Sequence, residues 1–410
     1  MASQTLLLRG GRVLRTGGAR PDRIDVAIGA DGRIERLGPN LQASAGAKVF
    51  DLGDKLVSPG LVDCHQHLDK TRTLRDVPNP AGTLLGAVAA FNDYAARITP
   101  ESLRKRADRT VSACLARGTV AIRTHANVDP VLRGRAVDML VDLRERWRDR
   151  MRIQVVAFVT AGATRLGDTA KEWLDSAIAA GADVIGGTPA ISDQPEAFMD
   201  MLFDAAERHG MPVDLHLDEH LDAGRQLFDA VIARTKARGM AGRVAVGHCS
   251  ALSAMAPDDA KRVIAGFAEA GIAVITLPAA NLFLQGREAP ALPPRGLTRV
   301  RELIEAGVCV AAASDNIQDP FVPTGTGDML EIARWTLLAG HLTTAELDRA
   351  YAMVTQAPAA TMGFGREYGI HEGARADLMV SDADDVEDLV ASGPPVQAVL
   401  LEGRLTFGSM

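Results

Sequence analysis

Cysteine is scarce: Cys64, Cys114, Cys249 and Cys309 are the four in 410 residues, widely spaced and with no Cys-x-x-Cys pair. That argues against a disulfide framework or a cysteine-built metal site, and the apolar context of each reads as a buried free thiol. Long apolar runs are missing too. Leu6-Leu7-Leu8 is too brief for a signal-peptide core and no stretch reaches membrane-spanning length, so a cytoplasmic protein without a membrane partner is expected. No basic run stands out, and acids and bases are interspersed at a formal net charge of -7, which points away from nucleic acid and towards a small-molecule partner. A homo-oligomer stays open.

What the chain does have is apolar residues, 47% of the total, enough for a large core. Residues 58–368 alternate strand-like and helix-like segments. Gly60–His65, Thr119–His125, Arg152–Val159, Ala182–Gly187, Pro212–Leu217, Arg243–His248, Ile272–Leu277 and Val308–Ser314 read as strands, with segments such as Ser102–Arg117 and Pro257–Ala270 as helices between them. Eight such units point to an α/β fold, a (β/α)8 TIM-type barrel. A doubly wound open sheet is the alternative, and no Gly-x-Gly-x-x-Gly follows the first strand to favour it. Both chain ends look different. Thr5–Leu8, Ile24–Ile28, Ile34–Leu37 and Lys48–Leu52, with Ala376–Ser381, Val396–Glu402 and Arg404–Phe407, are short strands separated by turn signals. Residues 1–57 and 369–410 are therefore expected to share one small β-sandwich enclosing the barrel.

Barrel chemistry gathers at the C-terminal ends of the strands. Five of the nine histidines fall there: His65 and His67 after strand 1, His125 after strand 2, His216 after strand 5 and His248 after strand 6. Asp315 follows strand 8, and Glu219 lies three residues past His216. On a strand, His65 and His67 at i and i+2 project from one face and can close on one ion. His65, His67, His216 and Asp315 make a metal-binding set with a position left open, and an ion so held brings bound water to a pKa of about 7. Glu219 can then shuttle protons, and His248 can orient the hydroxide or polarise the substrate. In binuclear barrels a carboxylated lysine bridges two ions from strand 4. Ala182-Asp183-Val184-Ile185-Gly186-Gly187-Thr188 contains no lysine, so one ion is expected.

Taken with Pro59-Gly60-Leu61-Val62-Asp63, Arg123-Thr124-His125, Asp214-Leu215-His216-Leu217-Asp218-Glu219, Gly247-His248, Leu284-Gln285-Gly286-Arg287 and Ser314-Asp315, the chain resembles the amidohydrolase superfamily along nearly its whole length. It is most similar to the group containing cytosine deaminase and N-isopropylammelide isopropylaminohydrolase. The resemblance implies zinc or iron, ligand roles for His65, His67, His216 and Asp315, and catalytic roles for Glu219, His248 and Asp315. It also places Lys70, Thr160, Gln285, Asn316 and Phe321 among the expected substrate contacts. Four of these depart from the cytosine deaminase pattern. Lys70 stands for threonine, Thr160 for glutamine, Asn316 for an acid and Phe321 for tryptophan.

These departures favour an amino-oxo pyrimidine, triazine or imidazolone whose exocyclic C–N bond is hydrolysed with release of ammonia or an amine. Two other readings stand beside it: a cyclic-amide hydrolase, since the same hydroxide attacks carbonyls, and a binding protein with a vestigial site. The deaminases built on His-x-Glu and Pro-Cys-x-x-Cys are excluded, because the chain has no Pro-Cys-x-x-Cys.

Overall fold

The computed structural model describes residues 6–410 apart from 17, 19, 166, 288, 290, 292 and 293. Thr5, at the expected start of the first strand, lies outside them. The N-terminal segment supplies β1 (Leu6–Val13), β2 (Asp22–Ile28), β3 (Ile34–Gly38), β4 (Lys48–Asp51) and β5 (Leu56–Pro59). Eight strands follow: β6 (Leu61–Gln66), β7 (Thr119–Val128), β8 (Arg152–Val159), β9 (Val184–Gly187), β10 (Val213–Leu217), β11 (Val244–His248), β12 (Ala273–Thr276) and β13 (Val310–Ala312). The chain ends with β14 (Leu378–Ser381), β15 (Val396–Leu401) and β16 (Arg404–Gly408).

Strands β6 to β13 form one parallel sheet in sequence order, with helices between them. The sheet is nearly closed, a TIM-type barrel. Most of its strands, β6, β7 and β11 among them, are continuous runs of buried residues, as a parallel sheet covered by helices on its outer face requires. Closure falls at the future site. The Asp315 amide donates to the His65 carbonyl and the His67 amide to the Asp315 carbonyl, each at 2.9 Å. The seam between first and last strand is thus made by three of the four expected ligands.

Both chain ends join in a separate eight-stranded sheet ordered β16-β15-β14-β5-β1-β2-β3, with β4 also on β1. Strand alternation divides its side chains between two cores. Leu378, Val380, Ala398 and Leu400 pack with Leu6, Leu8, Val26 and Ile28, whereas Met379, Val399 and Leu401 join the barrel core. Each fully buried Leu, Val or Ile there contributes about 1.5–3 kcal/mol. The four cysteines are free, with Cys64, Cys114 and Cys249 buried and Cys309 half-buried. Among the described residues no helix is long and apolar enough to cross a membrane.

One helix near the site escaped the sequence pattern. Leu84–Ala95 lies between the strand read at Gly60–His65 and the helix read from Ser102, where the sequence pattern marks no element, and is capped by the Thr83 hydroxyl accepting from the Gly86 amide. Its residues Leu-Leu-Gly-Ala-Val-Ala-Ala-Phe are apolar almost throughout, which hides a 3.6-residue stripe. The stripe is present all the same, with Leu84, Val88, Phe91 and Asn92 at i, i+4, i+7 and i+8 facing the cavity described next.

Candidate active site

His65 and His67 stand at the end of β6, His216 on β10 and Asp315 just beyond β13, all buried. Their tips converge. His216 Nε2 is 3.2 Å from His65 Nε2 and 3.0 Å from His67 Nε2, while Asp315 Oδ1 is 3.6 Å and 3.3 Å from the same two atoms. A tetrahedron with metal–ligand bonds of about 2.0–2.1 Å has edges of roughly 3.3 Å, so the residues present fit one divalent ion. Asp315 Oδ1, one of the converging atoms, lacks a hydrogen-bond partner, which matches an oxygen set aside for an ion. The backbone is bent to achieve this. His248 and Asp315 have φ of 66° and 61°, in the left-handed region that costs a residue with a Cβ about 1–2 kcal/mol.

Burial first, then the neighbouring imidazoles and, for His67, the Lys70 ammonium, hold His65, His67 and His216 well below the ordinary histidine pKa. They are neutral at pH 7, the form that ligates. Burial and then His125 push His248 down to about 3. Burial and the Asp315 charge raise Glu219 well above the usual carboxyl range. Its Oε1 lies 3.6 Å from His248 Nδ1, beside the ligand set but outside it.

Above these groups opens a cavity of about 320 Å³, lined by His67, His216, Glu219, His248 and Asp315 at its base and by Phe91, Phe158, Ile191 and Phe321 on its walls. That volume is typical of a small-molecule site. Lys70, Thr160, Asn316 and Phe321 all line it. Gln285 does not, and instead donates from Nε2 to the Glu219 carbonyl at 3.1 Å, supporting the site from behind. Lys70 is 4% exposed, its ammonium 2.7 Å from Asn127 Oδ1, 3.2 Å from both oxygens of Asp69 and 3.1 Å from His67 Nδ1. It is a buried, paired lysine on the cavity wall. Asn316 Nδ2 donates to Asp319 Oδ2 at 2.6 Å. Sequence reasoning missed Asp69, Asn127 and Asn281. Asn281 Nδ2 lies 3.1 Å from His248 Nδ1, and no motif spacing marks it.

The amidohydrolase family profile matches residues 81–407. The chain belongs to the amidohydrolase family. It is a metal-dependent hydrolase of non-peptide C–N bonds. This amidohydrolase is 31% identical over 390 residues to a pterin deaminase from Rhizobium rhizogenes, covering 95% of this chain and 89% of the relative. A 5-methylcytosine deaminase from Klebsiella pneumoniae, solved with 5-fluorocytosine, shares the fold at a TM-score of 0.88 and 30% identity, covering 98% of each chain. An N-isopropylammelide isopropylaminohydrolase from Burkholderia multivorans does so at 0.84 and 32%, again over 98% of each chain. These relatives are named for reactions on nitrogen heterocycles, the class expected from the residues.

Proposed function

We propose that this amidohydrolase is a deaminase of a small nitrogen heterocycle with an amino-oxo ring, a pyrimidine, triazine or imidazolone, and that it hydrolyses an exocyclic C–N bond to release ammonia or an amine from a ring carbon. His65, His67, His216 and Asp315 would hold one divalent ion, zinc or iron. When bound, such an ion supplies a nucleophile at neutral pH by acidifying water. The observation that carries the reading is Glu219, a carboxyl group raised by burial on the floor of the cavity and adjacent to the ligand set. A carboxyl so raised holds a proton more readily than a free one, as a group that takes a proton from water and returns it to a departing nitrogen requires.

The other cavity residues bind and orient. Phe158 and Phe321 offer flat apolar faces to a ring, the Asn316 oxygen accepts from a ring N–H, and Lys70 sets positive charge beside the place of a ring carbonyl. His248, neutral at working pH, faces both Glu219 and Asp315, with Nε2 4.0 Å from Asp315 Oδ2. The test is a panel of amino-oxo pyrimidines, triazines, imidazolones and pterins assayed for ammonia. Turnover with ammonia or amine release supports the reading. Ring-opened acid without amine would make the protein a cyclic-amide hydrolase, and full metal occupancy without turnover on any member would make it a binding protein.

A further inference from the structure

Beneath the ligand set the barrel interior is charged where aliphatic side chains normally fill it. Strand periodicity places Asp63, Arg123 and Asp214 two residues before His65, His125 and His216, on the same inward faces. Arg123 is 2% exposed and Asp214 fully buried, so an unpaired charge at either place would cost several kcal/mol. Arg123 is fully committed. Its Nη1 donates to Asp214 Oδ2 at 2.8 Å, its Nη2 to the Thr361 carbonyl at 3.0 Å and its Nε to Gln154 Oε1 at 3.0 Å. With Oδ2 so anchored, Asp214 Oδ1 faces two imidazoles, 3.5 Å from His125 Nε2 and 3.9 Å from His65 Nδ1. All three of these atoms lack another hydrogen-bond partner. The His125 ring lies against His65 with centroids 4.0 Å apart.

We propose that Arg123 and Asp214 form a positioning unit for the metal, with His125 as its spacer. Asp214 Oδ1, at 3.9 Å too far for a hydrogen bond, sets its negative charge on the Nδ1 side of His65, which favours the tautomer protonated there and leaves Nε2 bare and aimed at the other ligands. The same oxygen attracts His125 Nε2 from 3.5 Å, and the His125 ring in turn holds the His65 ring in place from the side. Arg123, donating to Asp214 Oδ2 at 2.8 Å, holds the carboxylate immobile. This rests on the reading that His65 ligates an ion.

Competition titration of the metal-stripped protein with zinc and a chromophoric chelator tests it. Asp214→Asn keeps the volume but removes the charge, and zinc binding should weaken by about 10–100-fold. A buried pair that serves folding alone would lower the unfolding midpoint of the metal-free protein and leave zinc affinity within threefold, which would overturn the proposal. Because that variant could fail to fold, histidine ¹⁵N spectra of the zinc-loaded wild type supply the second measurement. His65 should be metal-bound at Nε2 and protonated at Nδ1, and the opposite tautomer would overturn the assignment. A wild type that binds neither zinc nor ferrous iron would instead sink the metal reading under the proposed function, so the two failures are distinguishable.

Discussion

Replacing Glu219 by glutamine removes one ionisable group and almost no volume. Glu219 lies outside the ligand set, with Oε1 3.6 Å from His248 Nδ1, so Glu219→Gln should leave one equivalent of ion in place. A positioned general acid–base contributes roughly 10²–10⁴-fold, equal to about 2.7–5.4 kcal/mol of transition-state stabilisation. The assay is ammonia release under kcat/KM conditions, paired with metal analysis of the same sample. A loss below about tenfold, or loss of the ion, would refute the role. Stability supplies an independent check. Burial and Asp315 raise the folded pKa of Glu219 above its ordinary 4.5, so below that pH folded and unfolded chains both keep the proton. Above it the unfolded chain ionises while the folded one does not, and the stability present at low pH is lost as pH rises through the folded value. The metal-free glutamine variant should therefore unfold at higher temperature than the metal-free wild type at pH 7, with the gap closing towards pH 4. A wild type that is the more stable of the two at pH 7 would contradict the assigned burial of the carboxyl.

Three further outcomes follow from named contacts. His216→Ala removes the imidazole shared by both Nε2 contacts, so activity should vanish and bound ion fall well below one equivalent; full retention would exclude it as a ligand. Lys70→Ala should lower kcat/KM by tenfold or more, and it also strips Asp69, which is 0% exposed, of its buried partner, for a stability loss of about 3–5 kcal/mol in denaturant titrations. An effect below twofold on rate would remove Lys70 from substrate binding. We propose that residues 1–57 and 369–410 are one composite unit. Deleting 369–410 would bare Val57 on β5 and the apolar face of β1, and should give insoluble protein, whereas a soluble, active 58–368 fragment would refute this.

Much of this was legible in the sequence because two short-range rules carry it. Alternation of strand and helix periods in residues 58–368 specifies the barrel, since a parallel sheet must bury both faces. Once strand ends are located, residue type does the rest: His65, His67, His216, His248 and Asp315 fall at one rim of one barrel, and only a few chemistries use that set. The strand expected over Arg152–Val159 matches β8 residue for residue. The missed helix, Leu84–Ala95, shows where the rule fails, since a segment apolar on nearly every side carries no readable stripe.

Tertiary structure decided what depends on partners distant in the chain. Nothing near Lys70 reveals that Asn127 would take its ammonium, nor that Gln285 would reach the Glu219 carbonyl and leave the cavity to others. The sequence by itself determined which side chains lie at the catalytic rim, because strand register is local. Whether a given side chain faces substrate, ion or another buried charge was settled only when β6 met β13 and β7 met β10 across the barrel, since burial makes each polar atom take whichever partner the closed barrel brings within reach.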